Sequence, residues 1–144
     1  MSVRSYTKIW LHLIWGTHNK DKLLLEKSFR KELSTYLYKY SKEKGIYMKI
    51  NYVNSDHVHA IINLPTNYTI EEVMKLIKGN SSFWTNKKLN FKFSWARGYG
   101  AFSISESVLP KVENYIRNQG EHHRQISFTD EYELFLKKYN IKTG

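Results

Sequence analysis

Residues 46–64 hold two alternating runs around a turn, and no other stretch limits the fold so tightly. Ile46, Met48, Ile50 and Tyr52 alternate with polar neighbours, Asn54-Ser55-Asp56 supplies turn chemistry, and His57–Leu64 resumes the extended pattern. The spacing predicts an antiparallel pair of strands. Successive strand side chains point to opposite faces, so His57 and His59 share one face while Val58, Ala60, Ile62 and Leu64 share the other. The apolar set anchors the strand in a core. Two imidazoles about 7 Å apart on a rigid strand can grip one metal ion, and Asp56 beside them can orient a ring or serve the turn.

The remaining elements fall around this pair. Residues 7–15 set Ile9, Leu11, Leu13 and Trp15 against Trp10, His12 and Ile14, a strand apolar on both faces. Phe29, Leu33, Tyr36, Leu37 and Tyr40 recur at three- and four-residue spacing, which predicts an amphipathic helix over 25–44 closed by Gly45. Thr69 with Glu72 forms a capping box, and Ile70, Val73, Met74 and Ile77 carry that helix on to about Trp84. A last strand is expected over 93–104, its glycines at 98 and 100 marking a bulge or a close approach. A helix over about 107–122 follows, and Ser127 with Asp130 caps another over about 127–140.

The order is β-α-β-β-α-β with two appended helices. It predicts an α+β, ferredoxin-like or RRM-like sandwich: a four-stranded antiparallel sheet over about 5–104 with the crossover helices on one face. The face bearing His57 and His59 is left for the appended helices. One domain over 1–144 accounts for the chain, which has no repeat, no low-complexity tract and no linker.

Composition bounds the partners. With 23 basic and 13 acidic residues the formal charge is +10, and 15% of residues are aromatic, a balance that suits nucleic acid and single strands in particular. There is no cysteine, which excludes disulfides and thiolate metal sites. The first twenty residues lack a signal-like apolar stretch and no run approaches membrane-helix length, so a cytoplasmic protein without a membrane partner is expected. Lys75, Lys78 and Lys87 interleaved with Trp84, together with Arg97 and Tyr99, form a candidate DNA-binding surface, or else an ordinary solvated helix face.

Near the C-terminus, Tyr115 and Gln119 are one helical turn apart on the stripe Val112, Tyr115, Ile116, Gln119. A tyrosine on such a stripe is commonly a packing residue. A buried amide needs partners, and a metal ligated by its oxygen would satisfy it. A histidine pair, a tyrosine and an amide together are a kit for cutting a phosphodiester with a tyrosine nucleophile and a metal ion. His122 and His123 stand either as cations near a helix end or as neighbours of such a site.

These residues resemble the one-tyrosine transposases of the HUH endonuclease superfamily, the small TnpA-like enzymes of single-strand insertion sequences, over nearly the whole chain. His57-Val58-His59 matches the histidine–hydrophobe–histidine motif and Tyr115-Ile116-Arg117-Asn118-Gln119 the nucleophile segment. Glu121-His122-His123 and Gly98-Tyr99-Gly100-Ala101-Phe102-Ser103 follow the family pattern too, whereas Ser55 stands where many relatives have proline. The resemblance implies that Tyr115 is the nucleophile and that His57, His59 and Gln119 hold Mg²⁺ or Mn²⁺, although imidazoles by themselves favour Zn or Ni. It implies hairpin-bearing single-stranded DNA as substrate, a 5′-phosphotyrosine intermediate, and no small-molecule substrate. It further implies a homodimer in which one subunit's tyrosine helix can complete the partner's histidine site, the hinge near Ser105–Leu109 deciding which subunit it serves. Two alternatives share parts of this reading. One is a non-catalytic binder of the RNA-recognition type, which would stack bases on aromatics of the central strands. The other is a host-adopted relative that cuts chromosomal hairpins by identical chemistry.

Overall fold

The computed structural model describes residues 5–123 and 125–142. Strand β1 (Trp10–Gly16) leads through a single 3₁₀ turn to helix α1 (Lys27–Glu43). Strands β2 (Tyr47–Val53) and β3 (His57–Asn63) follow, then helix α2 (Ile70–Lys88) and strand β4 (Gly100–Ile104). Helices α3 (Leu109–Arg117), α4 (Gln119–His122) and α5 (Phe128–Lys138) close the chain. The sheet order is β2-β3-β1-β4 with every pairing antiparallel, the ferredoxin-like arrangement expected from the element order. Among the described residues no helix is long and apolar enough to cross a membrane.

Alternation decides which side of the sheet each residue serves. Leu11, Leu13, Trp15, Val58, Ala60 and Ile62 join Leu33 and Leu37 of α1 and Val73 and Ile77 of α2 in the main core. Trp10, Ile50 and Ile61 face the other way and meet Leu109 and Ile116 of α3. Ile14 and Phe102 on that side meet Phe128 of α5. Both faces of the two central strands are therefore covered, which is why β1 is buried from end to end.

Local signals work as read. Gly45 sits beyond α1 at φ +74°, where a side chain would be strained. The Glu72 amide donates to Thr69 Oγ1 (3.0 Å) and the Thr69 amide to Glu72 Oε1 (2.9 Å), so the capping box is complete. Replacing Thr69 with alanine is expected to cost about 1 kcal/mol and to lower the melting temperature by roughly 2–4 °C. A Lys75→Ala control on the exposed side of the same helix should change little; equal shifts in the two variants would remove the cap's special role.

Three boundaries differ from the sequence reading. Strand β4 is confined to 100–104, not 93–104. The Lys78 ammonium donates to the successive carbonyls of Ala96, Arg97 and Gly98 (2.7, 2.8 and 3.2 Å). Three consecutive carbonyls converging on one cation cannot alternate as a ladder requires. Helix α2 runs past Trp84 to Lys88, and the expected 107–122 helix is broken at Asn118 (φ −97°, ψ 19°) into α3 and α4. The close approach foreseen at the two glycines holds at Gly100 and not at Gly98, where a side chain would meet open space. A Cβ on Gly100 would lie 2.8 Å from the Phe102 ring and 2.9 Å from Tyr132 of α5, so this glycine lets α5 settle onto the sheet.

Candidate active site beneath the terminal helix

Strand β3 points His57 and His59 to the face covered by α3, α4 and α5, and both rings are fully buried. Tyr115 on α3 brings its ring within 6.0 Å of the His59 ring, edge-on. Gln119 at the start of α4 is also buried. The structure thus brings together all four residues singled out for chemistry, and it does so within one chain. Tyr115 lies against the histidines of its own chain. Four residues separate β4 from α3, and the Ser105 carbonyl accepts from the Val108 and Leu109 amides (both 3.1 Å), turning α3 back onto its own sheet.

At the centre stands a residue the sequence reading passed over. Glu131 of α5 is 2% exposed, and its Oε1 lies 3.0 Å from His59 Nε2, 3.0 Å from His123 Nε2 and 3.3 Å from His57 Nε2. Its Oε2 accepts from the Tyr115 hydroxyl and from Gln119 Nε2 (2.9 Å), with His122 Nε2 at 3.5 Å. The Gln119 oxygen accepts from Asn54 Nδ2 (3.1 Å), so the buried amide is satisfied by Asn54 and Glu131 together.

Each histidine is also fixed from its outer side. His57 Nδ1 meets Asp56 Oδ1 (2.7 Å), His123 Nδ1 meets the Ile126 carbonyl (2.7 Å), and His59 Nδ1 meets His12 Nε2 (2.7 Å). Phe128 stacks on the His57 ring at 4.0 Å, nearly parallel. Asp56 therefore orients a ring, the first of the two roles read for it. Carboxylate and carbonyl oxygens only accept, so His57 and His123 carry their hydrogen on Nδ1. In the neutral form the His57 Nε2 lone pair accepts from Asn54 Nδ2 (3.1 Å), whereas that of His123 faces the Glu131 carboxylate with no hydrogen between. Such a junction holds only if positive charge enters it, as a second proton on a ring or as a metal ion. His57, His59, His123 and Glu131 place their ligating atoms within 4.8 Å of one another and fit a divalent cation by donor chemistry.

The electrostatics carry the same demand. Burial works to depress His57, but Asp56 and Glu131 hold it above the ordinary imidazole value. Burial dominates at His59, pushing it down to about 4 despite Glu131, and takes His12 well below its usual range. Burial would raise Glu131, yet the hydrogen bonds from His123, His57 and His59 outweigh it and hold the carboxyl far below the carboxylate range. Burial, and then the charge of Glu131, push the Tyr115 hydroxyl well above the usual phenol range. A phenol so placed gives up its proton only when positive charge offsets Glu131. A cavity of about 290 Å³ opens beside Tyr115 between α3 and α5, walled by Val112, Leu134 and Phe135 with Lys111 and Lys138 at its border.

The candidate DNA-contacting residues lie elsewhere. Helix α2 packs on the sheet face opposite the histidines. Lys75 and Lys87 are exposed there, while Trp84 is stacked between Phe29 and Tyr36 (centroids 5.5 and 4.8 Å), with Lys88 above it. Lys78 is occupied with the 96–98 carbonyls and lies 5.9 Å from the Tyr99 ring centroid. Arg97 and Tyr99 are exposed. The structure does not bring these six residues to the histidine site.

Comparison with known proteins gives these features a context. The family model described as "Transposase IS200 like" matches residues 5–119. The transposase for insertion sequence element IS200 of Salmonella typhimurium is 28% identical over 74 residues, 46% of this chain and 48% of the relative, and that of Salmonella typhi matches equally. The chain spans about half the length of these curated relatives. Among solved structures, a Deinococcus radiodurans R1 protein assigned as a transposase superposes with TM-score 0.64 at 23% identity, covering 83% of this chain and 97% of that one. A REP-associated tyrosine transposase bound to a REP hairpin superposes with TM-score 0.63 at 17% identity, covering 88% and 75%. At such identities these two likenesses speak for the fold.

Proposed function

The chain belongs to the IS200-like transposase family, and from that premise we propose that it cuts and rejoins single-stranded DNA at hairpin-associated sites. The reaction passes through a covalent 5′-phosphotyrosine and depends on a divalent cation. The observation that carries this reading is the convergence of the Tyr115 hydroxyl and the His57 and His59 rings on one buried point. The structural neighbour that holds a REP hairpin supports the substrate class, and the net charge of +10 suits a polyanion. The site acts within a homodimer, as the resemblance implies, in the cytoplasm.

Tyr115 is assigned as nucleophile and His57 and His59 as metal ligands, with Gln119 buried beside them. The Tyr115 oxygen attacks the scissile phosphorus, the phosphorus–O3′ bond breaks, and the leaving 3′ oxygen takes up a proton to become a free hydroxyl. Attack by that hydroxyl on the tyrosine ester reverses the step on a new strand, so bond energy is conserved and no nucleotide cofactor is needed. A divalent ion held by the histidines would supply polarisation of a phosphate oxygen and positive charge to offset the phenolate. Around it, Asp56, His12 and the Ile126 carbonyl hold the imidazoles in their tautomers, and Phe128 fixes the plane of His57. Arg97, Tyr99, Lys75 and Lys87 then serve flanking DNA, away from the reacting phosphate, while Lys78 and Trp84 shape that surface from within.

The test is a gel assay with hairpin-bearing single-stranded DNA. A covalent protein–DNA adduct is expected with Mg²⁺ or Mn²⁺ and none in chelator. His57→Ala should lose the adduct while still retarding DNA. Full adduct formation in chelator would overturn the metal assignment, and DNA retardation without any adduct under all ions would favour a binding protein.

A further inference from the structure

Glu131 and His123 lie beyond residue 119, where the family match ends, yet they hold the middle of the site. The two oxygens of Glu131 face different groups. Oε1 looks at three imidazole nitrogens 3.0–3.3 Å away, whereas Oε2 takes the hydrogens of Tyr115 and Gln119. With metal–ligand bonds of about 2.1 Å, neighbouring ligands of one ion stand roughly 3.0 Å apart in an octahedron and 3.4 Å apart in a tetrahedron. The spacing from Glu131 Oε1 to the three nitrogens falls in that interval. The carboxylate is 2% exposed, and burying a carboxylate without a neutralising partner is strongly unfavourable.

We propose that Glu131 and His123 are ligands of the divalent cation alongside His57 and His59, and that the second oxygen of Glu131 holds the Tyr115 hydroxyl beside it. The terminal helix α5 is then part of the metal centre. Gln119 takes a different part from the one implied by the resemblance. Its amide nitrogen faces Glu131 and its oxygen faces Asn54, so it is a positioning residue that fixes the carboxylate. One buried side chain thereby ties the metal to the nucleophile, and the spacing between them becomes a property of α5 docking. Three nitrogens and one oxygen form a donor set that takes Mn²⁺ in preference to Mg²⁺, and Zn²⁺ more tightly than Mn²⁺.

This inference rests on the metal-centre reading above, and its test separates the two. Mn²⁺ is titrated calorimetrically into metal-stripped full-length protein, wild type and variants, with melting curves in chelator to establish that each variant is folded. Wild type should bind one Mn²⁺. Glu131→Ala and His123→Ala should each weaken binding by ~10-fold or more, the scale on which even an outer partner of a ligand acts. Glu131→Gln, which keeps the shape and one oxygen but not the charge, should fall between and covers the case in which the alanine variant does not fold. Electron spin-echo spectroscopy of bound Mn²⁺ should register one fewer coupled nitrogen in His123→Ala. A wild-type chain that binds no Mn²⁺ overturns both readings. Wild-type binding matched or exceeded by Glu131→Ala overturns this one alone, because the carboxylate would then be standing in the ion's place.

Discussion

Replacing Tyr115 with phenylalanine is expected to abolish the covalent DNA adduct, a fall of roughly 10⁴-fold or more, the scale on which removing a nucleophile acts in other covalent enzymes. The substitution keeps the ring that packs with Trp10, Ile50 and Ile61 and that meets the edges of His59 and Phe135. It removes only the hydroxyl that donates to Glu131. Glu131 Oε2 retains Gln119, so no buried acceptor is stranded. The stability change should therefore stay near 1 kcal/mol, about 2–4 °C in melting temperature. Melting curves and the adduct gel together separate the two effects. An adduct that persists in the phenylalanine variant would mean that another residue attacks, and would remove Tyr115 from the mechanism.

The architecture was legible because its signals are local and periodic. Alternation in 57–64 assigned Val58, Ala60 and Ile62 to one face and the histidines to the other, and burial follows that division. The Thr69 and Ser127 caps are short-range hydrogen bonds written within four residues, and both form. The stripe Val73, Ile77, Ser81, Trp84 also carried information that an aromatic beside lysines obscured. Its spacing makes Trp84 a packing residue, and Trp84 does stack against the core, half-buried beside Phe29 and Tyr36. Glu131 was hidden by a different cause. With Asp130 it sits in the first turn of a capped helix, where acidic residues are favoured by the helix dipole whatever the rest of the protein does. Nothing local told Glu131, buried, from an exposed acid. His12 was on the page as a strand residue, but its contact with His59 depends on the register that sets Ile14 opposite His59, which the sequence does not print. The shortening of β4 has the same character, since it depends on a lysine about twenty residues away.

Mixing two inactive variants gives the sharpest test of how the subunits share the work. A Tyr115→Phe chain lacks the nucleophile and a His59→Ala chain lacks a ligand, so each alone should form no adduct. If one subunit's tyrosine served the other's histidines, heterodimers would hold one intact composite site and activity would return toward half of wild type per heterodimer. The structure leads to the opposite expectation. Tyr115 is tied to Glu131 of its own chain, and Leu109 and Ile116 of the same helix are buried against its own strands. Exchanging the helix would open the Ser105 turn and expose both of those side chains, each costing about 1.5–3 kcal/mol unless the partner offered the same pocket. With every tyrosine serving its own histidines, each site in the heterodimer lacks one component, and the mixture should stay silent. Verified subunit exchange, by differently tagged chains recovered together, makes that silence informative. Recovery of the adduct in such a mixture would show that the helix leaves its own sheet during the reaction, and that the docked α3 is a resting arrangement.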